Sequence, residues 1–263
     1  MFKYQGRNIS YNSKGRGNTI VLLHGFTESL KIWDKFSEEL SKNFQVISID
    51  LVGHGETDVF SESHTMEQQA DIVNAVLEES NVKDCVLVGH SMGGYVGLAI
   101  AEKYPEKIKG LVLFHSTAYA DTEEKKKERL RTIEVVKANR NNFISDLIPK
   151  LFSPKNHESL KAEIEAMKEL AKKTPSEGIT AALLGMSQRK DRTEVLRSSD
   201  FPILFIAGKD DGVIPFEKIL EQVTLPKRSQ LLLLDKTGHM GFIEAEKESL
   251  YTLEGFSKMC FEV

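Results

Sequence analysis

Gly89-His90-Ser91-Met92-Gly93 lies directly between the apolar run Cys85-Val86-Leu87-Val88 and a small-residue stretch with helical apolar spacing that begins Gly94-Tyr95-Val96. Strand, then G-x-S-x-G, then helix is the context of a nucleophile elbow, a turn so sharp that the serine backbone is strained and its hydroxyl projects from the sheet edge. Side chains two residues before and two after the serine would collide inside such a turn, and Gly89 and Gly93 remove them. Gly94, Gly97 and Ala99 keep the following helix slim. Ser91 is therefore the candidate nucleophile.

A serine hydroxyl is a poor nucleophile at neutral pH, so it needs a histidine base and a carboxylate to orient that base. Both occur downstream, in order. Phe201-Pro202-Ile203-Leu204-Phe205-Ile206-Ala207 reads as a buried strand and runs into the acid-bearing loop Gly208-Lys209-Asp210-Asp211-Gly212-Val213-Ile214-Pro215. Asp210 or Asp211 is the acid. Gln230-Leu231-Leu232-Leu233-Leu234 is another strand-like run, and Asp235-Lys236-Thr237-Gly238-His239 after it places a histidine in the next loop. His239 is the candidate base.

Serine, aspartate and histidine in this order, each after its own strand, resemble the α/β-hydrolases over nearly the whole chain. His24-Gly25-Phe26 after the strand Thr19-Ile20-Val21-Leu22-Leu23 is similar to that family's oxyanion-loop motif. Asp50-Leu51-Val52-Gly53-His54-Gly55-Glu56-Thr57-Asp58 is similar to its D-x-x-G-x-G-x-S-D turn, with Thr57 where serine is commoner. The spacing of Gly208, Asp211 and Pro215 matches the family's acid loop and selects Asp211, which leaves Asp210 to brace the loop or face solvent. The resemblance implies that Ser91 Oγ attacks an acyl carbonyl, His239 carries the proton, and Asp211 fixes the imidazole tautomer. It also implies an oxyanion hole made by the backbone N–H groups of Met92 and Phe26.

The remaining histidines read differently. His24, His54 and His90 sit in glycine-rich turns and are expected to bond to backbone, while His64 and His157 lie in polar sequence and are expected to be solvated. His115 ends the strand Leu111-Val112-Leu113-Phe114 and is a candidate for the substrate pocket, because strand C-terminal ends face the ligand in open α/β sheets. Asp50 precedes the nucleophile in the chain and is expected to anchor the glycine turn, and Trp33 to pack in the core.

The net charge of −4 carries no basic stripe with interleaved aromatics, which argues against nucleic acid as a partner. Met1-Phe2-Lys3-Tyr4-Gln5-Gly6 lacks an apolar leader core, and no stretch approaches the roughly 20 apolar residues of a membrane span. A cytoplasmic protein without a membrane partner is expected. The two cysteines, Cys85 and Cys260, imply no disulfide. No Cys/His cluster has metal-ligand spacing and no phosphate-binding glycine loop is present, so neither metal nor cofactor is expected. Oligomeric state is left open.

Apolar runs alternating with amphipathic segments predict a mostly parallel sheet with helices on both faces. An initial hairpin, Phe2 to Tyr4 and Asn8 to Tyr11 around Gln5-Gly6-Arg7, and strands near Thr19, Gln45, Cys85, Gly110, Pro202 and Gln230 make an eight-stranded sheet. Helices are expected from Leu30 to Ser41, Thr65 to Ser80, Ser91 to Tyr104, Pro215 to Gln222 and Phe242 to Met259. The alternation breaks at 117–200, too long for a structureless loop, so a helical insertion after the sixth strand divides a core of residues 1–116 and 201–263. Leu130, Ile133 and Val136 form one helical stripe there, and Leu160, Ile164, Met167 and Ala171 another. Thr174-Pro175-Ser176-Glu177 reads as a capping box, and Asp191-Arg192-Thr193-Glu194 as the cap of a last short helix. By resemblance the insertion is a lid roofing the pocket. Its charged run, Glu123 to Arg129, reads as a solvated face with Asp121–Lys125 and Glu123–Lys127 pairs, and the alternative is a docking surface for an anionic substrate such as a coenzyme A ester.

A serine nucleophile argues against the aspartate-dependent dehalogenases and epoxide hydrolases that share the fold. The expected activity is hydrolysis of a small-molecule carboxylic ester through an acyl-enzyme on Ser91, with short acyl groups favoured. Thioester hydrolysis, carbon–carbon bond hydrolysis and a slow-turnover ligand receptor are the alternatives.

Overall fold

A computed structural model describes residues 2–262, so the outermost residues assigned to the core, Met1 and Val263, lie outside the described residues. The strands are β1 Phe2–Tyr4, β2 Arg7–Ile9, β3 Tyr11–Lys14, β4 Thr19–Leu23, β5 Gln45–Ile49, β6 Cys85–His90, β7 Ile108–Phe114, β8 Ile203–Gly208 and β9 Ser229–Leu234. Seven of them form one sheet in the order β3-β5-β4-β6-β7-β8-β9, in which only the β3–β5 pair is antiparallel. The strands β4, β6 and β8 are buried throughout, and β7 at every residue but Lys109, as parallel strands covered on both faces must be.

The sheet has seven strands, not the eight expected. The hairpin forms around Gln5 and Gly6, both at positive φ, which is the two-residue turn that matches strand twist. Its second strand then stops at Ser10 instead of running on to Tyr11. Ser10 N–H donates to Thr57 Oγ1 (2.9 Å), Asn8 N–H donates to Asp58 Oδ2 (2.8 Å), and Asp58 N–H donates to Asn8 O (3.1 Å). The Asp50–Asp58 turn thus occupies the hairpin edge that a neighbouring strand would need. β1 and β2 form a sheet of their own, and β3 starts afresh against β5.

The helices before the insertion are α1 Asp34–Leu40, α2 Met66–Glu79 and α3 Met92–Lys103. The side chain of Thr65 caps α2 at Gln68 N, at the predicted start. Between β7 and β8 lie α4 Glu123–Lys150, α5 Lys161–Ala171, α6 Ser176–Ser187 and α7 Thr193–Ser198, followed in the C-terminal part by α8 Phe216–Val223, α9 Gly241–Glu244 and α10 Glu246–Glu262. The insertion follows the Ile108–Phe114 strand, which is the seventh in chain order and the fifth of the central sheet and not the sixth.

Two local expectations in the insertion are corrected, at Leu130 and at Thr174-Pro175. Helix α4 breaks at Asn139 (φ −157°, ψ 84°), whose Oδ1 accepts from Asn142 N and caps the second segment. Leu130 lies outside the predicted stripe, since it is exposed while Val136 is buried. Pro175, at ψ 153°, is still extended, so α6 starts at Ser176 and Thr174 offers no side-chain cap; its carbonyl accepts from Arg140 Nη1 instead.

Trp33 is fully buried and packs edge-on or tilted against Phe36, Phe114 and Phe242, in the core as expected. Cys85 and Cys260 are both free and buried. No helix among the described residues is long and apolar enough to cross a membrane.

Candidate active site

Parallel strands carry their C-terminal ends to one edge, and five adjacent ones, β4, β6, β7, β8 and β9, deliver Phe26, Ser91, His115, Asp211 and His239 there in turn. Ser91 sits between β6 and α3 at φ 49°, ψ −112°, a conformation unfavourable for a residue with a side chain. The turn is held by Ser91 N–H donating to Phe114 O (2.9 Å) and Ser116 Oγ donating to Ser91 O (2.8 Å). A Cβ on Gly93 would lie 2.5 Å from Leu23 O and 2.7 Å from His24 O, so the elbow packs directly on the backbone of the loop that carries Phe26. Met92 is the first residue of α3, and its N–H has no acceptor within the helix.

His239 Nδ1 lies 2.8 Å from Asp211 Oδ2, with both side chains buried. The other carboxylate oxygen, Oδ1, accepts from Val213 N (2.8 Å) and Ile214 N (2.9 Å), which sets the plane of the acid. Burial opposes ionisation of Asp211, but His239 and His115 together hold its carboxyl well below the usual carboxylate range. Ser91 and His239 line one cavity, though no Ser91 Oγ–His239 hydrogen bond occurs among the described residues, and such contacts commonly tighten only around a substrate. Asp210 points elsewhere: it accepts from Ser153 Oγ (2.7 Å) and pairs with Lys155 Nζ (3.0 Å), tying the acid loop to the insertion.

His115 does not line that cavity. Its ring is buried behind the acid, stacked on Phe114, with Nδ1 3.0 Å from the same Asp211 Oδ2 that faces His239. Burial lowers its pKa to about 4, so it is a neutral donor to Asp211 at ordinary pH. Its backbone, at φ 48°, is as unusual as that of Ser91. Position at a strand end was the right signal for proximity to the site, but the direction of the side chain decides between pocket and scaffold.

The histidines of the turns also separate. Leu51 N–H donates to His24 Nε2 (2.9 Å), so His24 Nδ1 is the protonated nitrogen and donates to Gly25 O (2.7 Å). Burial lowers His24 to about 4 and His54 to about 3, keeping both neutral. Asp50 anchors the glycine turn as expected, accepting from Leu30 N (2.7 Å) and Glu56 N (3.0 Å). His64, expected to be solvated, is buried; Phe60 N–H donates to its Nε2 (3.3 Å), and burial lowers its pKa to about 4.

His90 differs from the other turn histidines because it faces a buried carboxylate that the sequence did not flag, Glu28. His90 Nδ1 is 3.0 Å from Glu28 Oε2, and His90 Nε2 is 2.9 Å from the His239 carbonyl. A carbonyl can only accept, so Nε2 is protonated. Glu28 Oε2 also accepts from Gly25 N (2.5 Å), and the raised pKa of His90 beside the lowered one of Glu28 favours an imidazolium facing a carboxylate. Burial disfavours this cation, but Glu28 and the His239 carbonyl outweigh it and raise the His90 pKa. Burial likewise opposes the Glu28 anion, and His90 reverses the balance, lowering the Glu28 pKa. A glutamate three residues after Gly25 is the only trace of this pair in the sequence.

Among the described residues, His115, Asp211 and His239 offer potential metal-ligating atoms within 4.8 Å of one another. Their facing nitrogens are already committed to Asp211, and a metal there would take His239 away from Ser91.

The cavity occupies about 290 Å³ between the sheet edge and the insertion. Its lining includes the apolar Phe26, Phe143, Leu147, Leu183 and Met186 and the polar Lys125, Glu128, Arg129 and Thr132 from α4.

This fold and site define the class: a sequence profile described as the alpha/beta hydrolase fold matches residues 18–246, and the chain belongs to that family of hydrolases. Among its relatives is the AB hydrolase superfamily protein YisY of Bacillus subtilis, 29% identical over 252 residues that cover 91% of each chain. The pimeloyl-[acyl-carrier protein] methyl ester esterase of Vibrio parahaemolyticus is 25% identical, covering 95% of this chain and 98% of that one. Among solved structures, a thermophilic esterase from Thermogutta terrifontis, malate bound, superposes with a TM-score of 0.93 at 30% identity, covering 97% of this chain and 94% of the esterase.

Proposed function

We propose that the protein cleaves a small-molecule carboxylic ester through an acyl-enzyme on Ser91. The observation that carries this reading is the 2.8 Å His239–Asp211 contact beside a serine strained into the same cavity at φ 49°. Ser91 Oγ attacks the acyl carbonyl as His239 Nε2 takes its proton, and the backbone N–H groups of Met92 and Phe26 receive the developing oxyanion. His239 then returns the proton to the leaving alcohol, and water repeats the sequence to release the acid. The likeness to the Thermogutta terrifontis and Vibrio parahaemolyticus esterases supports ester cleavage over thioester or carbon–carbon bond cleavage. Residues 117–200 act as the lid over a core of 1–116 and 201–263, because they supply more than half of the residues lining the cavity. A cytoplasmic setting fits two buried, unpaired cysteines.

The test is steady-state hydrolysis of p-nitrophenyl butyrate, with mass spectrometry after a fluorophosphonate probe. Turnover and a single adduct on Ser91 are expected, and Ser91→Ala should lose both, with kcat down by about 10⁶. Wild-type-like hydrolysis by that variant overturns the assignment. A burst of one product equivalent followed by arrest would replace the enzyme with a slow-turnover receptor.

A further inference from the structure

Asp121 lies just before α4 and was expected to pair with Lys125 on a solvated face. Instead it is buried between two arginines: Arg129 Nε donates to its Oδ2 (2.5 Å) and Nη2 approaches its Oδ1 (3.4 Å), while Arg189 Nη1 lies 2.6 Å from Oδ1. Two guanidiniums sharing one carboxylate leave one positive charge uncompensated. Arg189 is fixed elsewhere, donating to the carbonyls of Tyr119 (3.2 Å) and Met186 (3.1 Å) and lying 4.1 Å over the Tyr95 ring. Arg129 lines the cavity shared by Ser91 and His239, and its side chain is only 13 % exposed. Asp121 engages its Nε and Nη2, which leaves the two N–H donors of Nη1 outside the pair.

The rest of the wall has the same sign. Lys125 pairs with Glu128 (2.9 Å), Glu28 is consumed by His90, and Lys150 adds a further cation. Phe143, Leu147, Leu183 and Met186 give the same lining its apolar part. The cavity lining thus offers both hydrocarbon and a held guanidinium, and a guanidinium matches a planar carboxylate.

Resting on the ester-hydrolase reading, we propose that the substrate is an ester that also carries a carboxylate, which docks on the Nη1 edge of Arg129 while its hydrocarbon lies against Phe143, Leu147 and Met186. Arg129 is then a specificity-determining residue.

Monoethyl adipate and ethyl hexanoate present the same ester on chains of matching length, with and without the carboxylate. The wild type should show a kcat/KM for the hemi-ester at least about tenfold above that for the neutral ester, with the ratio falling as salt is added. Arg129→Gln should bring the ratio toward one, its kcat/KM falling about tenfold more for the hemi-ester than for ethyl hexanoate. Arg129→Lys, which keeps charge but not the fork, should fall between. Equal kcat/KM for the two esters in the wild type, or an unchanged ratio in Arg129→Gln, overturns the carboxylate site while leaving ester hydrolysis intact. Calorimetry of both esters on Ser91→Ala reads the site without turnover: tighter hemi-ester binding that Arg129→Gln abolishes supports it even if neither ester is hydrolysed, and equal affinities refute it. If Arg129→Gln fails to fold, Arg129→Lys and the salt dependence of the wild-type ratio decide, and a ratio insensitive to both refutes the site.

Discussion

Glu28 Oε2 and His90 Nδ1 lie 3.0 Å apart with their side chains 2 % and 1 % exposed, and this ion pair joins three loops of the site. The carboxylate holds Gly25 N–H in the loop carrying Phe26, His90 precedes Ser91 in the elbow, and the far side of the imidazolium holds the His239 carbonyl. The proposed oxyanion donor, nucleophile and base are thereby referenced to one buried charge pair.

Breaking it should cost stability and turnover together. Glu28→Gln leaves an imidazolium without its counter-ion, and removing one partner of a buried pair costs about 3–5 kcal/mol. A displacement of about 1 Å at the proposed oxyanion donor costs about a hundredfold in kcat, with KM little changed because the donor acts in the transition state. Thermal melts and steady-state kinetics on the variant check both, and wild-type kcat in a folded Glu28→Gln protein contradicts the positioning role.

The same pair predicts a pH window. His90 has a raised folded pKa, so its stabilisation is complete below the ordinary imidazole value of 6.5 and fades as pH rises toward the folded value. Glu28 has a lowered folded pKa, so its contribution is complete above 4.5 and fades as pH falls toward the folded value. The unfolding free-energy difference between the wild type and the Glu28→Gln, His90→Gln double variant should therefore peak between pH 4.5 and 6.5 and narrow on both sides. Denaturant titrations at pH 4, 5.5 and 9 showing a constant difference contradict it.

Asp210 and Asp211 should behave oppositely under the same chemistry. Asp211→Asn presents an amide to His239 and His115 and favours the wrong tautomer, lowering kcat by about 10⁴. Asp210→Asn loses only a bond to Ser153 and an exposed pair with Lys155, so its kcat/KM should stay within about tenfold of wild type, a barrier change of about 1.4 kcal/mol. The reverse ranking in single-variant kinetics reassigns the acid.

Acyl length is bounded by the cavity. A volume of about 290 Å³, lined in part by Phe143, Leu147, Leu183 and Met186, suits short chains. Butyrate esters should exceed laurate esters in kcat/KM, and the order should tilt toward longer chains in Phe143→Ala, which opens the apolar part of the lining. A wild type that prefers C12 contradicts this.

The sequence by itself determined whatever depends on neighbours along the chain. The elbow was legible because Gly89 and Gly93 must flank Ser91, and the six strands from Thr19 to Leu234 because buried parallel strands are continuous apolar runs. The acid loop was legible too, and the likeness of Gly208, Asp211 and Pro215 to the family's spacing selected Asp211 over Asp210. What only the tertiary structure decided are contacts whose partners lie far apart in the chain. Glu28 meets His90 across 62 positions, His115 meets Asp211 across 96, and Arg189 meets Asp121 across an insertion whose local charge pattern suggested surface pairs instead. The eighth strand was lost for the same reason, because the Asp50–Asp58 turn, remote in sequence, claimed the backbone groups of Asn8 and Ser10. Periodicity and turn chemistry record local backbone preference, whereas the partner of a buried charge or an unpaired strand edge is set by which loops the sheet brings to one end.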